Sequence, residues 1–547
     1  MKIIQVGVIL VMCTTISFAG IVHVPDNYST IQGAIDSCNS GDTILVAPGT
    51  YSQSLLTGTK NLVLASAYLT QHDSSYIEKT VLLGTDGPVI SVTSGADSIV
   101  VIGFTITGGA SDHGAGINCS NGYLILRNNY ISFNSTGNWR TGYGGGVYAT
   151  NSTAILIENR FEYNDSDYGG AIYATTSIFQ IKRCYFGFNN AQEYGGALYI
   201  SGSSVDIDQN TFIQNWAIQG GGAIECNGSG YIRNNIITGY VTPDWMYVGA
   251  YNGGAINCGG TLKILNNRIE RHSGGEGGAI RCSNDVLICN NLIINNTDAA
   301  GTGIYIRGNP KIINNTFYGN DGSAVIYFKM GYPEVTNNII WGNTLRNDWK
   351  SIHVESGIPS LVPVNFSDIQ DGYEGTGNIS VDPLFRDELS GDFHLESSSC
   401  GGEADSPCID TGSPLYLDSV LGCLDGLGTD ASDMGAYGGR ILNPTAISPV
   451  AKIQNPVIPG VTISPNPFNS QTKIEFIVVS LTQLEIDVYN LLGAKVRNLF
   501  NGLSGPGKKT FFWDGMDENG IYTASGIYIL SLRQQHGIFN QKLILLR

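Results

Sequence analysis

The sequence predicts an all-β protein: a right-handed parallel β-helix solenoid followed by a small immunoglobulin-like β-sandwich. Three observations carry that reading. Charged residues are only 14% of the 547, while glycines number 71, against about 25% and about 7% in ordinary globular chains. A Gly-Gly-x-apolar motif recurs along residues 114–306 with short apolar strands between its copies, the mark of a stacked repeat. The last part alternates polar and apolar residues between tight turns such as Asp517-Glu518-Asn519-Gly520, with no helical period, as a small sandwich requires.

The repeat units are GAGINC (114–119), GGGVYA (144–149), GGAIYA (169–174), GGALYI (195–200), GGAIEC (221–226), GGAINC (253–258), GGAIRC (277–282) and GTGIYI (301–306). From the apolar residue of each strand, a turn position follows eleven or twelve residues later: Asn129, Asn159, Cys184, Asn210, Asn235, Asn267, Asn291 and Asn315. Five residues beyond lie Asn134, Asn164, Asn189, Asn215, Tyr240, His272, Asn296 and Asn320. Length variation is therefore confined to one loop, between the second position and the next Gly-Gly. A coil of fixed cross-section, free at one corner, behaves in this way.

Strand alternation then assigns side chains to faces. Ile131, Phe161, Phe186, Phe212, Ile237, Ile269, Ile293 and Phe317 form one inward stack. Cys119, Ala149, Ala174, Ile200, Cys226, Cys258, Cys282 and Ile306 form another, in which cysteine acts as a small buried apolar residue. The asparagines are structural: they tolerate left-handed turns, and their amides can bond from coil to coil. Cys184 marks the coil where that ladder breaks.

The opening VPDNYSTIQGAIDSCNSGDTILVAPGTY (24–51), the coil SIVVIGFTITGG (98–109) and the closing SPCIDTGSP (406–414) and DMGAYGG (433–439) resemble the right-handed β-helix proteins of the pectin-lyase-like superfamily. The resemblance implies an N-terminal cap in which Ile31, Ala34 and Ile35 line one face of a short helix. It does not imply an activity, because one fold hosts many functions. The His-Gly and paired-Asp motifs of polygalacturonases and the Arg-x-Pro-x-x-Arg pattern of pectate lyases are missing. At the other end, SPNPFNSQTKIEF (464–476), DVYNLLGAKV (487–496), WDGMDENG (513–520), SGIYIL (525–530) and KLILLR (542–547) are similar to the type A sorting domain of type IX secretion. That resemblance implies export through the outer membrane by the type IX machinery.

The expected organisation is a signal peptide (1–19), a cap with first coils (20–97), the solenoid (98–395), a loop-rich closing segment (396–442), a Pro-bearing linker (443–460) and the sorting sandwich (461–547). Lys2, the apolar run Ile3–Ile16 and the small residues before Gly20 fit a leader. No later segment holds 18 consecutive apolar residues, so no transmembrane span is expected in the mature chain. A net charge of −17 argues against nucleic acid, which needs a basic surface. Cys400, Cys408 and Cys423 share one loop-rich stretch where a single disulfide fits an oxidising compartment; the spacing leaves the pair open.

The outward residue of each Gly-Gly strand runs Asn118, Tyr148, Tyr173, Tyr199, Glu225, Asn257, Arg281, Tyr305. Tyr148, Tyr173 and Tyr199 form an aromatic stripe followed by a carboxylate and a guanidinium. The variable loop beside them carries Trp139, Trp216 and Trp245, and Asp167 and Glu193 precede adjacent Gly-Gly pairs. Aromatic faces stack on sugar rings while carboxylate and Arg groups fix hydroxyls. The expectation is a secreted or cell-surface protein that binds polysaccharide or another surface polymer along these residues. The alternatives are a polysaccharide lyase or glycoside hydrolase, with Asp167 and Glu193 as a carboxylate pair, and a non-catalytic adhesive protein. No cofactor and no metal site is expected; calcium at Asp418, Asp425, Asp430 and Asp433 is the one cation reading, and no loop motif supports it.

Overall fold

The computed structural model describes residues 20–439 and 462–545, apart from 93–97, 138–140, 240–249, 356–361, 419–420, 467, 479–481, 491–494, 506, 519 and 535–536. The leader, the linker, Trp139 and Trp245 lie outside the described residues.

From Ile21 to Ile369 the chain winds as parallel coils, each laying three short strands over those of the coil before. The coil at Ile172 shows the plan. A first leg (Ile172–Thr175) and a second (Ile178–Lys182) belong to one long sheet, and a third (Tyr185–Gly187) belongs to a 13-stranded sheet. A corner strand (Asn190–Tyr194) then leads to the next Gly-Gly. The Gly-Gly pair has a steric cause. Gly169 adopts φ 65°, and a Cβ there would lie 2.1 Å from the Ile172 carbonyl oxygen. A Cβ on Gly170 would lie 2.3 Å from the Gly196 carbonyl oxygen one coil on. No other residue lets the backbone turn so tightly and stack so closely.

Register is kept from coil to coil. Ile117, Val147, Ile172, Leu198, Ile224, Ile256, Ile280, Ile304, Ile326 and Ile352 pair in sequence, and all are buried. Phe161, Phe186 and Phe212 form one interior pile, with centroids 4.9 and 4.7 Å apart and planes within 7° of parallel. Burying each Phe stabilises the coil by roughly 1.5–3 kcal/mol. Cys226, Cys258 and Cys282 lie in adjacent coils and are buried. Burial pushes their thiols up, Cys282 to about 12, so they are inert packing groups.

Two asparagine ladders line the turns. Asn159 Oδ1 accepts from both the backbone N–H (3.0 Å) and the Nδ2 (3.0 Å) of Asn129, whose Nδ2 also reaches the Val101 carbonyl at 2.9 Å. The second ladder repeats this through Asn134, Asn164, Asn189 and Asn215. The left-handed residue is not the ladder asparagine, as the sequence suggested, but its predecessor: Asn128, Glu158, Arg183, Gln209 and Asn234 have φ between 51° and 58°. The turn thereby aims the following amide along the coil axis. Cys184 does not break the ladder outright. Its Sγ accepts from the Asn159 N–H at 3.4 Å, and its own N–H donates to Asn210 Oδ1 at 2.8 Å. A third ladder that the sequence did not suggest runs through Ser152, Ser177 and Ser203 between the first and second legs.

The N-terminal cap is the helix Ile31–Ser37, its N-cap Thr30 accepting from Gly33 N–H and its buried face being Ile31, Ala34 and Ile35. The last pair of parallel coil strands is Ile339–Trp341 with Asp368–Ile369, and an antiparallel hairpin (Phe385–Asp387 with Asp392–Leu395) follows. The closing segment folds back on the last coils: Asn314 Nδ2 reaches the Asp433 and Gly435 carbonyls, and Ser413 N–H reaches Asn337 Oδ1. Its disulfide joins Cys400 to Cys423, leaving Cys408 buried with its thiol on Asp368 Oδ2. The proposed calcium carboxylates Asp418 and Asp433 accept backbone N–H groups instead, from Gly439 and Asp433 in one case and from Asp410 and Leu427 in the other. Among the described residues no cluster of three His, Cys, Asp or Glu side chains is placed to hold a metal.

Residues 462–545 form two antiparallel sheets of three and four strands. Ile474, Phe476, Leu484, Ile486, Val488, Trp513, Leu530 and Leu532 meet between them in one core. Among the described residues no helix is long and apolar enough to cross a membrane.

Candidate functional site

The outward residues of the first leg fall in one column: Asn118, Tyr148, Tyr173, Tyr199, Glu225, Asn257, Arg281, Tyr305, Tyr327 and His353. Tyr327 and His353 escaped the sequence reading because their coils lack the Gly-Gly signal. Tyr148 and Tyr173 stack with centroids 5.4 Å apart and Tyr173 and Tyr199 at 5.0 Å, the planes within 4°. Atoms in contact sit about 3.5–4 Å apart, so rings at this spacing overlap with a lateral slip, each showing an edge and part of a face to solvent. All three are half-buried. Burial and its tyrosine neighbours push the Tyr173 phenol up to about 12, so its hydroxyl stays a protonated donor at neutral pH.

A second column stands at the adjacent corner, one residue before each Gly-Gly: His113, Tyr143, Tyr168, Tyr194, Gly220, Asn252 and Glu276. Sequence reasoning placed Asp167 and Glu193 equivalently before adjacent Gly-Gly pairs, each followed by Tyr168 or Tyr194, but did not extend that count to the whole column. Tyr143 stacks on Tyr168 at 5.3 Å and lies 4.8 Å from Tyr173; Tyr168 meets Tyr199 edge-on at 5.6 Å; His113 meets Tyr148 edge-on at 4.9 Å. Six tyrosines and a histidine thus form one continuous aromatic corner.

Both columns change chemistry in the same coil. Beyond Tyr199 comes Glu225, and beyond Tyr194 comes Gly220. A Cβ on Gly220 would lie 2.9 Å from Glu225 Oε2, 3.0 Å from Tyr194 Cδ1 and 3.2 Å from Asn257 Nδ2. The missing side chain is what lets the Glu225 carboxyl lean over the corner. Asn257 Nδ2 donates to both its oxygens, at 3.1 and 2.9 Å. Burial outweighs this bond and the nearby Arg281, and lifts the Glu225 carboxyl to about 7. Arg281 donates to Asn257 Oδ1 at 3.1 Å and to Glu276 Oε2 at 3.0 Å, and Arg307 donates to Glu276 Oε1 at 3.1 Å.

Asp167 departs from expectation. It is buried, and its Oδ2 accepts the backbone N–H groups of Thr141 (2.9 Å) and Gly142 (2.8 Å). It pins the preceding loop and cannot act as one of an exposed pair with Glu193, which remains half-buried beside Tyr194. Tyr305 is also covered, at 3% exposure, donating to Glu276 Oε1 and stacking on Tyr327 at 5.1 Å. Trp216 sits half-buried in the corner strand beside Asn190. An open notch of about 540 Å³, lined by Ser177, Ile178, Gly202, Ser203, Gly228 and their neighbours, opens at the other end of the same strands. It is lined by hydroxyls and holds no ionisable side chain.

Residues 67–239 match the family model of the right handed beta helix region, and residues 462–546 match that of the secretion system C-terminal sorting domain. Among solved structures, a pectate lyase is 14% identical over 77% of this chain and 97% of its own, with a TM-score of 0.34. The tailspike protein of an Acinetobacter phage is 11% identical over 91% and 82%, with a TM-score of 0.19. No curated protein matches the sequence. With these models matched on the coil and sandwich geometry above, the chain is a right-handed parallel β-helix protein whose sorting domain directs it to the secreted or cell-surface compartment.

Proposed function

We propose that the protein binds a polysaccharide or another surface polymer along the column from Tyr148 to Arg281. It reaches the cell exterior by type IX export of its sorting domain. One observation carries the reading. Two aromatic columns run side by side for three coils and end in the same coil, the first passing to Glu225, Asn257 and Arg281 and the second to Gly220, Asn252 and Glu276. A polymer lying parallel to the coil axis meets equivalent groups at intervals of about 4.8 Å, with rings for its C–H faces and polar groups for its hydroxyls. A fold alone does not select this function; the mixed chemistry of the column is the support for it.

The second reading, a glycoside hydrolase or lyase, is favoured by Glu225, whose carboxyl near 7 suits proton transfer at neutral pH. Glycan-array binding combined with a reducing-sugar and unsaturated-product assay separates the readings. The proposal predicts binding that falls at least tenfold in the Tyr173→Ala/Tyr199→Ala double variant, with no product. Product release abolished by Glu225→Gln establishes the enzyme instead. A full panel without binding or product leaves an adhesive body.

A further inference from the structure

Resting on that reading, we infer that the ligand is an uncharged glycan of hexose or pentose units, with one sugar seated against Tyr194, Tyr199 and Glu225.

The ring geometry locates the seat. Within each column a ring's faces are taken by its neighbours, Tyr168 to Tyr194 at 6.0 Å and Tyr173 to Tyr199 at 5.0 Å. Tyr194 and Tyr199 are the last rings of their runs. The next groups along the axis are Gly220 and Glu225, so the far side of these two rings is met by the Glu225 carboxyl and not by another ring. A sugar lying over the outside of this corner has the exposed edges of the two rings on one side. On the other it has a carboxyl, the Asn257 amide that holds it, and the half-buried Asn252 one coil on.

The charge balance selects the chemical class. Five carboxylate and guanidinium side chains flank this track: Glu193 and Glu225, then Glu276 with Arg281 and Arg307. Both guanidiniums are already engaged with Glu276, and Arg281 also with Asn257. With Glu225 ionised the formal sum is −1; with it protonated the sum is zero. The chain as a whole carries −17. A uronate or sulfated polymer would bring its anions toward two carboxylates and would have to draw Arg281 away from Glu276 to find a partner, leaving that half-buried acid with Arg307 alone. The hydroxyls of an uncharged sugar need no such exchange. They can donate to the Glu225 and Glu193 oxygens and accept from phenol and amide donors. A Glu225 carboxyl titrating near 7 can also donate one bond itself.

The test is isothermal titration of the full chain, in chelator, with cellohexaose, xylohexaose, mannohexaose and laminarihexaose against hexagalacturonate. The inference predicts at least tenfold tighter binding of one uncharged hexasaccharide than of hexagalacturonate. It also predicts a loss of tenfold or more in Tyr199→Ala and in Glu225→Gln. Tyr163→Ala alters an exposed ring on another corner, stacked between Phe133 and Phe188, and should leave the affinity unchanged. Hexagalacturonate binding equal to or tighter than all four overturns the uncharged class while the glycan reading survives. Binding lost in Tyr163→Ala but kept in the two site variants overturns the seat. Absence of binding to every probe overturns the glycan reading itself. Thermal unfolding of each variant separates lost contacts from lost fold.

Discussion

Two neighbouring positions on the same strand tell opposite stories. The inward position is aliphatic in all ten coils from Ile117 to Ile352, and the position one residue later runs Asn, Tyr, Tyr, Tyr, Glu, Asn, Arg, Tyr, Tyr, His. Backbone, register and spacing are identical for both. Only the inward side must fill a fixed cross-section at crystal-like density; the outward side is under no such demand. Monotony inside is therefore the requirement of the fold, and ordered variety outside is where function can reside.

That contrast predicts a gradient of mutational effects. The largest belongs to the buried ladders. Asn164→Ala removes an amide that donates to Ile131 O and Asn189 Oδ1 and accepts from Asn134, leaving several buried groups unpaired. The expected cost is about 4 kcal/mol in denaturant unfolding of the solenoid. Phe186→Ala, a cavity inside the Phe161–Phe212 pile, should cost about the same, roughly 3–5 kcal/mol. Tyr173→Ala, on the outward column, should cost only about 1 kcal/mol, the worth of its ring contacts. Cys184→Asn should go the other way. An amide oxygen replaces a sulfur acceptor at 3.4–3.9 Å, and the same unfolding experiment should show a gain of about 0.5–1 kcal/mol.

The pH dependence sharpens the comparison at Glu225. Its folded carboxyl titrates near 7, above the ordinary 4.5, because burial disfavours the anion. Between those values the folded chain holds a proton that the unfolded chain has released. Stability therefore falls as pH rises from about 4.5 to 7 and is flat beyond. Asp418 and Asp368, near 6, and Asp433, near 7, act in the same sense. Glu225→Gln should remove one part of that slope and leave the rest; melting curves recorded from pH 4.5 to 8 measure the difference.

How much was legible follows from the same physics. Phe161, Phe186 and Phe212 could be stacked from the sequence because the distance from Gly-Gly strand to turn hardly varies, so equivalent positions could be counted. Tyr148, Tyr173, Tyr199 and Glu225 followed by alternation. Tyr143, Tyr168 and Tyr194 can be counted with His113 as the residue before the glycine motif, but the position passes to Gly220, Asn252 and Glu276, whose differing chemistry hides the column. Burial of Asp167 depends on the fold of Thr141–Gly142, and pairing of Cys400 with Cys423 on the path of the closing segment; neither is a local property. The left-handed turn residue was displaced by one because Glu158, Arg183 and Gln209 carry no turn preference, whereas the asparagine beside each is conspicuous. Tyr327 and His353 were missed where Ser323-Ala324 and Trp349-Lys350 replace Gly-Gly.

The most direct trial of the account is to measure unfolding free energy and affinity for uncharged hexasaccharides on the same preparations of Phe186→Ala and Tyr199→Ala. Division of labour between the two sides of the coil predicts that the first loses several kcal/mol of stability but, while folded, keeps its affinity. The second should lose at least tenfold in affinity and about 1 kcal/mol or less in stability. If Tyr199→Ala destabilises the coil as much as Phe186→Ala while binding is untouched, the outward column is part of the scaffold, and the account is wrong.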